Sequence, residues 1–210
     1  MNSRHKKLYK HYEKVFHQKP IFSMKLKDSV AHDKEELSVT TLVFRPTKKT
    51  PFWKLCTIGA SDYNMPVRDI GCGRYANRRN EYIMFISPDV KVKQSSSDWL
   101  KLNALLWMTA CYPYNAKTNV TVSDTIDFNL PGKYCGTVLL LPEIIDSPAV
   151  TKCYTSTQKF ISILQVMPIT KEQLSEKLRR GQEGTYWLME QFYTHNDDYE
   201  LIHSEPFVHF

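Results

Sequence analysis

The stretch Trp53–Pro66, WKLCTIGASDYNMP, reads as a strand that runs into a polar turn. Trp53, Leu55 and Thr57 alternate with Lys54, Cys56 and Ile58, the period of two that a strand requires. The pattern breaks at Gly59, continues through Ser61, Asp62 and Asn64, and closes with Met65-Pro66. Gly59 is expected to supply a positive φ angle or a close backbone approach. Ser61 and Asp62 are expected to hydrogen-bond the turn's own amides, as these residues commonly do. A Ser presented on a strand-turn also suggests the nucleophile elbow of hydrolases. That elbow needs a Gly on both sides of the Ser, and here Asp62-Tyr63 follows Ser61, so a structural turn is the preferred reading.

Working outward, two further segments follow in order: Asn80–Pro88, NEYIMFISP, and Phe160–Leu178, FISILQVMPITKEQLSEKL. The first stretch resembles the TxGxSDxxM strand-turn of the Suppressor of fused (SUFU) family. The second resembles that family's next strand, in which a Glu precedes an apolar run ending in Pro, and the third its FLQVxPxTxEEL strand-into-helix. The residues that carry the resemblance are Thr57, Gly59, Ser61, Glu81, Gln165 and Pro168. The chain departs from the pattern at Ala60, where Met or Leu is usual, and at Cys56, where an aromatic is common. Neither change adds a catalytic group. The resemblance implies a SUFU-like fold and a protein-binding role. In animals the full-length members sequester a transcription factor, clasping an extended peptide between two lobes. SUFU-like domains of this size are typical of bacteria, where the family implies an immunity protein that masks a cognate toxin.

The 210 residues suit one large domain, because no Gly/Ser/Pro-rich linker divides them. A 42% hydrophobic content is ample for one core. No apolar run approaches a membrane span, and MNSRHKK is not followed by an apolar segment, so a cytoplasmic protein without a membrane partner is expected. Asn119-Val120-Thr121 is a glycosylation sequon without meaning in that compartment. The five cysteines form no CxxC and no Cys/His cluster, so neither disulfide, metal nor other cofactor is expected, and Cys72 in Gly71-Cys72-Gly73 should be the most exposed. The +6 net charge is uneven. Residues 1–27 carry +7, whereas no Lys or Arg follows Gly181 and six acids do. Such a division can steer a charged partner, or simply provide two solvated faces.

The spacing predicts a basic helix over 4–18 with Leu8, Tyr12, Val15 and Phe16 on one stripe, ended by Pro20. It predicts a strand over Leu37–Phe44 that forms an antiparallel hairpin with the Trp53 strand, and a basic loop over 66–80 with Arg68, Arg74, Arg78 and Arg79. A buried helix is expected over 98–111, ended by Pro113, and a half-exposed strand over 119–128. A strand near an edge follows over Gly136–Ile145. Thr170 and Gln173 form a capping box for a helix over 171–180, with Leu174 and Leu178 inward and Gly181 as the stop. A last helix lies near 183–193. The expected organisation is a basic N-terminal helix over 1–19, a SUFU-like domain over 20–195 and an acidic polar tail over 196–210. The fold class is α+β, a single domain with a mainly antiparallel, mixed β-sheet covered by helices.

No HExxH, Walker-type or RRM-type motif is present, and His32-Asp33 is the only His with an adjacent carboxylate. The expected function is therefore non-enzymatic protein binding, with an immunity-type protein that sequesters a cognate toxin as its specific form and with no catalytic residue. The partner surface is assigned to Asp62, Tyr63, Asn64 and Met65 of the turn with Arg68 and Arg79 of the basic loop. Tyr and Arg commonly carry interface energy. Tyr63 and Met65 either face solvent there or fold back onto the core. Two alternatives stand beside this reading: a hydrolase using Ser61 with His32 and an acid, and a nucleic-acid binder using the basic first helix. The oligomeric state is not fixed by the sequence.

Overall fold

The computed structural model describes residues 2–26, 37–93, 97–157, 159–195 and 201–203. Its elements are α1 (Ser3–Phe16), β1 (Phe22–Leu26), β2 (Val39–Phe44), β3 (Trp53–Ile58), β4 (Asn80–Ile86), α2 (Ser97–Ala116), β5 (Thr125–Asp127), β6 (Gly136–Leu140), β7 (Lys152–Ser156), β8 (Lys159–Ile169), α3 (Lys171–Arg179), α4 (Gly184–His195) and β9 (Leu201–Ile202). The sheet runs β1-β2-β3-β4-β8-β6-β5, with β7 on β8 and β9 on β4. Among the described residues only β4–β8 and β4–β9 are parallel, so the sheet is mixed and mainly antiparallel, as expected. β2 and β3 form the predicted hairpin, with Leu42 opposite Cys56.

The sheet is covered on both faces. Leu55, Tyr82, Met84 and Ile86 share one cluster with residues of α2, α3 and α4, including Leu106, Leu174 and Leu188. Cys56, Ile58, Ile83 and Phe85 share the other with Leu8, Tyr12 and Phe16 of α1. Double coverage explains why β4 is buried at every position and reads as an unbroken apolar run from Tyr82 to Ile86. Even Lys54 of β3 is 0% exposed.

The basic first helix is thus a layer of the domain rather than an appendage. Tyr12 donates its hydroxyl to the Thr57 carbonyl across the core (3.2 Å). α1 stops at His17, which takes a left-handed conformation (φ 51°), before Pro20 is reached.

Several expectations are corrected. Pro113 lies inside α2, not after it. A proline removes a single helical hydrogen bond, and here it sits in the last turns with its ring buried in the core. The strand expected over 119–128 shrinks to β5. Ser123 has φ 72°, and the Asp124 carboxylate accepts from the Thr121 amide, which makes a turn of the first half. The 136–145 strand ends at Leu140, before Pro142. The capping box forms as predicted: Gln173 N donates to Thr170 Oγ1 and Thr170 N to Gln173 Oε1. Leu174 is buried, but Leu178 points outward at 67% exposure, because α3 ends one residue later. Leu201–Ile202, expected in a polar tail, are buried as β9 against Phe85 and Ile86. His32-Asp33 and most of the acidic tail lie outside the described residues.

Pro168 stands within the longest strand without harming it. Ser162 donates its amide toward β4, so even-numbered residues of β8 face that side, and β4 pairing has already ended at Gln165. The amide that proline lacks has no ladder partner there.

Lys54 makes the fold pH-sensitive in the alkaline range. Its Nζ donates to the carbonyls of Arg45 (3.1 Å) and Thr50 (3.0 Å) and lies 5.1 Å from the Phe52 ring centroid. Burial lowers its pKa from 10.5 to about 8. Between those values the unfolded chain holds a proton that the folded chain has lost, so stability rises with pH across that window. The neutral amine still has two N–H donors for the two carbonyls. Wild type is expected to gain on Lys54→Met by at most about 3 kcal/mol between pH 8 and 10.5 in urea titrations. A pH-independent difference would refute the depressed pKa.

Candidate functional site

The turn that follows β3 is built around Glu81. This carboxylate, on the second residue of β4, is 0% exposed. Thr57 Oγ1 donates to Oε2 (2.7 Å). Gly59 N (3.0 Å), Ser61 N (3.1 Å) and Ser61 Oγ (2.7 Å) donate to Oε1. Thr57 Oγ1 in turn accepts from Tyr82 N (2.8 Å). Burial pushes the Glu81 pKa up, and the hydrogen bonds from Thr57, Ser61 and Gly59 oppose it. The Thr, Gly, Ser and Glu of the recurrent pattern are therefore one hydrogen-bonded unit that welds the turn to the neighbouring strand. Ser61 and Asp62 do not hydrogen-bond the turn's own amides as expected, because Glu81 takes that role.

Gly59 has φ 114°, the positive angle predicted. Ala60–Asp62 form a short 3₁₀ turn. Asp62 is held by α1: Arg4 Nη1 donates to Oδ1 (2.7 Å) and His5 Nε2 lies 2.7 Å from Oδ2. Arg79 Nη1 donates to the Ser61 and Asp62 carbonyls. Met65 is 2% exposed and belongs to the core, the second of the two placements open to it, so its side chain leaves the assigned partner surface. Tyr63 is half-buried, edge-on to Tyr114 at 5.5 Å, and Lys117 sits over the Tyr114 ring. Asn64 is exposed.

Beyond the turn, residues 65–78 form a pinned hairpin-like loop. Met65 N donates to Arg78 O (2.9 Å), Ala76 N to Arg68 O (2.9 Å) and Ile70 N to Arg74 O (3.0 Å). Arg68 grips Asp124 through two N–H groups and also donates to the Asn119 carbonyl. The Asn119 amide donates to the carbonyls of Pro66 and Asn77. The sequon side chain is thus a buried structural clamp. The tip, Gly71-Cys72-Gly73, has positive φ at all three residues, and Cys72 is exposed. Around this frame Val67 (62%), Ile70 (44%) and Tyr75 (65%) face solvent.

The arrangement does not suit nucleophilic catalysis through Ser61. Its hydroxyl is fully buried, and the Glu81 carboxylate that accepts from it is enclosed by three further donors, so no substrate carbonyl reaches the pair. Of the six residues assigned to a partner surface, the structure places Asp62, Tyr63, Asn64, Arg68 and Arg79 around the turn and at the base of the loop, with Asp62, Arg68 and Arg79 engaged internally, and removes Met65 to the core. Gln165 and Pro168 are buried in β8 behind them. Sequence reasoning missed Val67, Ile70 and Tyr75. Their occurrence singly among charged and glycine residues of a polar loop was the available signal. It also missed Arg4 and His5, which no local pattern connects to Asp62. No helix among the described residues is long and apolar enough to cross a membrane.

The sequence model of the Suppressor of fused protein family matches residues 34–198. No curated protein is significantly similar in sequence. A SUFU homologue from Neisseria gonorrhoeae shares the fold with a TM-score of 0.61 at 13% identity, over 95% of this chain and 93% of its own. A Sufu–Fu complex gives 0.59 at 12%, over 96% and 90%. Drosophila Suppressor of Fused gives 0.56 at 13% over 93% of this chain, which spans 48% of that protein. With the Thr57–Gly59–Ser61–Glu81 unit at its centre and the family pattern covering most of its length, this chain belongs to the Suppressor of fused (SUFU) family.

Proposed function

We propose that this protein is a non-enzymatic binding domain, an immunity-type protein that sequesters a cognate toxin by covering it. The carrying observation is the loop of residues 65–78. It is anchored at its base and yet turns Val67, Ile70 and Tyr75 to solvent. Exposed apolar groups on a fixed frame, rimmed by Arg74 and Arg78, suit a protein interface, since Tyr and Arg are frequent energetic anchors. A rigid loop also loses little entropy on binding. Tyr63 and Asn64 flank it, Arg68 supports it from within, and Arg79 and Asp62 hold the preceding turn. A related structure solved as a Sufu–Fu complex supports a protein partner, and a neisserial homologue of the same fold and extent is compatible with a bacterial, cytoplasmic setting.

The test is capture of the product of the adjacent gene. Val67→Asp/Tyr75→Ala is expected to weaken binding by about a hundredfold, the effect of roughly two anchor residues. Tyr63→Ala/Arg68→Ala should act less, through the loop's support. If the first variant stays folded and binds as wild type does, the recognition surface is elsewhere.

A further inference from the structure

A second surface lies on the α1 side of the molecule. A groove of about 1260 Å³ opens between the C-terminal half of α1, the turn at 47–50 and the segment 144–154. We propose that it binds an extended acidic polypeptide segment with interspersed apolar side chains, contributed by the protein's partner. Only the identity of that partner rests on the reading above.

Size is the first reason. Small-molecule pockets measure roughly 300–1,000 Å³ and enclose their ligands, whereas this groove is larger and open. Charge is the second. Lys14, Lys48, Lys49 and Lys152 are exposed along its rim, with His11 and His17 beside them, and Asp146 is the only carboxylate among its lining residues. These cations come from three separate stretches of chain, so the fold, not a basic run, gathers them. They also outweigh the partial negative charge at the end of α1.

The floor is the third reason. Val15, Ile144 and Ile145 are partly buried against the α1-side core and present aliphatic surface between the lysines. A polyphosphate gains nothing from such a floor, and single-stranded nucleic acids favour successive aromatic platforms. The exposed rings here, Tyr154 and His17, come from two separate stretches of chain rather than from successive platforms. An acidic peptide with aliphatic side chains fits both the rim and the floor.

The walls are fixed before binding. Lys54 ties the carbonyls of Arg45 and Thr50, and the Thr47 and Thr50 hydroxyls bond at 2.9 Å. On the other side His11 Nε2 meets the Ala149 carbonyl at 2.8 Å, and Val150 N donates to Ser147 O. Little ordering remains to oppose association.

The experiment uses the full chain and fluorescein-labelled peptides in anisotropy titrations. One peptide alternates Glu and Leu, a second alternates Lys and Leu, a third is all Glu, and an oligothymidylate is the fourth probe. The Glu/Leu peptide is expected to bind best. Lys14→Glu/Lys48→Glu/Lys49→Glu should weaken it about tenfold or more. Ile144→Ser/Ile145→Ser should weaken it while leaving binding of the all-Glu peptide unchanged. Circular dichroism melts verify folding, and Lys152→Glu alone provides a milder second variant. Equal binding of the Lys/Leu peptide, the all-Glu peptide or the oligothymidylate overturns the proposal, as does an unaffected triple variant. Partner capture that depends on Val67 and Tyr75 but not on the lysines would sink the groove and leave the function proposed above. Peptide binding without any toxin partner would do the reverse.

Discussion

Glu81→Ala is expected to cost at least about 4 kcal/mol and to bring the protein close to its unfolding threshold. Four donors converge on that carboxylate: the Thr57 and Ser61 hydroxyls and the Gly59 and Ser61 amides. Alanine removes the acceptor and leaves all four in a site without solvent exposure. Each buried donor left unsatisfied costs about 1–3 kcal/mol, and water entering the vacated volume recovers part of that. Typical domains have only about 5–15 kcal/mol of stability in total. Glu81→Gln separates charge from hydrogen bonding. Its amide oxygen can keep the three donors at the Oε1 position. Its NH₂ faces Thr57, whose hydroxyl must then turn away from its acceptor. A smaller loss of about 1–2 kcal/mol follows for one neutral hydrogen bond disturbed. Urea unfolding of both variants checks the order. If alanine costs under 1 kcal/mol, the Glu81 network does not hold the turn as drawn.

The same network marks the boundary of what the sequence could reveal. Gly59 was legible because a break in strand alternation followed by polar residues demands special backbone angles. The role of Ser61 was not, because its acceptor lies twenty positions away in sequence, and the local habit of Ser and Asp in turns suggested the nearer amides. Strands with long apolar runs, such as β4 and β8, declared themselves. β1, β7 and β9 did not. β7 alternates exposed and buried residues too weakly over Lys152–Ser156, and β9 is two residues whose pairing to β4 depends wholly on tertiary context. Pro113 looked like a stop because local rules penalise an interior proline, yet packing of its ring overrides that penalty. Leu178 looked inward from its four-residue spacing to Leu174, which holds only where a helix continues against its support.

The candidate surfaces followed the same division. The basic loop was visible in composition, but the internal engagement of two of its arginines was not. Arg68 and Arg79 are engaged with Asp124 and with the turn's carbonyls, so they set the shape of the loop. Met65, which follows the turn, is core. Exposure of Val67, Ile70 and Tyr75 arises from the hairpin that those internal contacts create. Likewise the lysines of the α1-side groove are scattered in sequence and meet only because α1 packs on the sheet through Leu8, Tyr12 and Phe16. Removing residues 1–19 would therefore test folding before it tested any interaction.

Gly59→Val is expected to destabilise the protein by about 3 kcal/mol or more, through two effects that can be separated. The backbone at Gly59 has φ +114°, where a β-branched residue is strained by roughly 1–3 kcal/mol. A side chain there also meets a wall. An added Cβ would stand 2.2 Å from the Ser38 carbonyl oxygen and 3.2 Å from its carbonyl carbon. Those are backbone atoms leading into β2, so relief requires moving a strand or the turn. Movement of the turn would pull the Gly59 and Ser61 amides from Glu81 and lose hydrogen bonds as well. Gly71 supplies the comparison. It too has a positive φ, +93°, but a Cβ there meets nothing within 4 Å. Gly71→Val should therefore show the backbone strain alone, or less where the exposed tip relaxes. For a chain of this size the loss at Gly59 corresponds to a fall of about 6–12 °C in melting temperature, against a few degrees at Gly71. Equal shifts for the two variants would mean that the close approach to Ser38 is not maintained in solution. An unchanged melting temperature for Gly59→Val would mean that the turn can take an ordinary backbone, and with it the geometry that presents the Glu81-centred unit would fall.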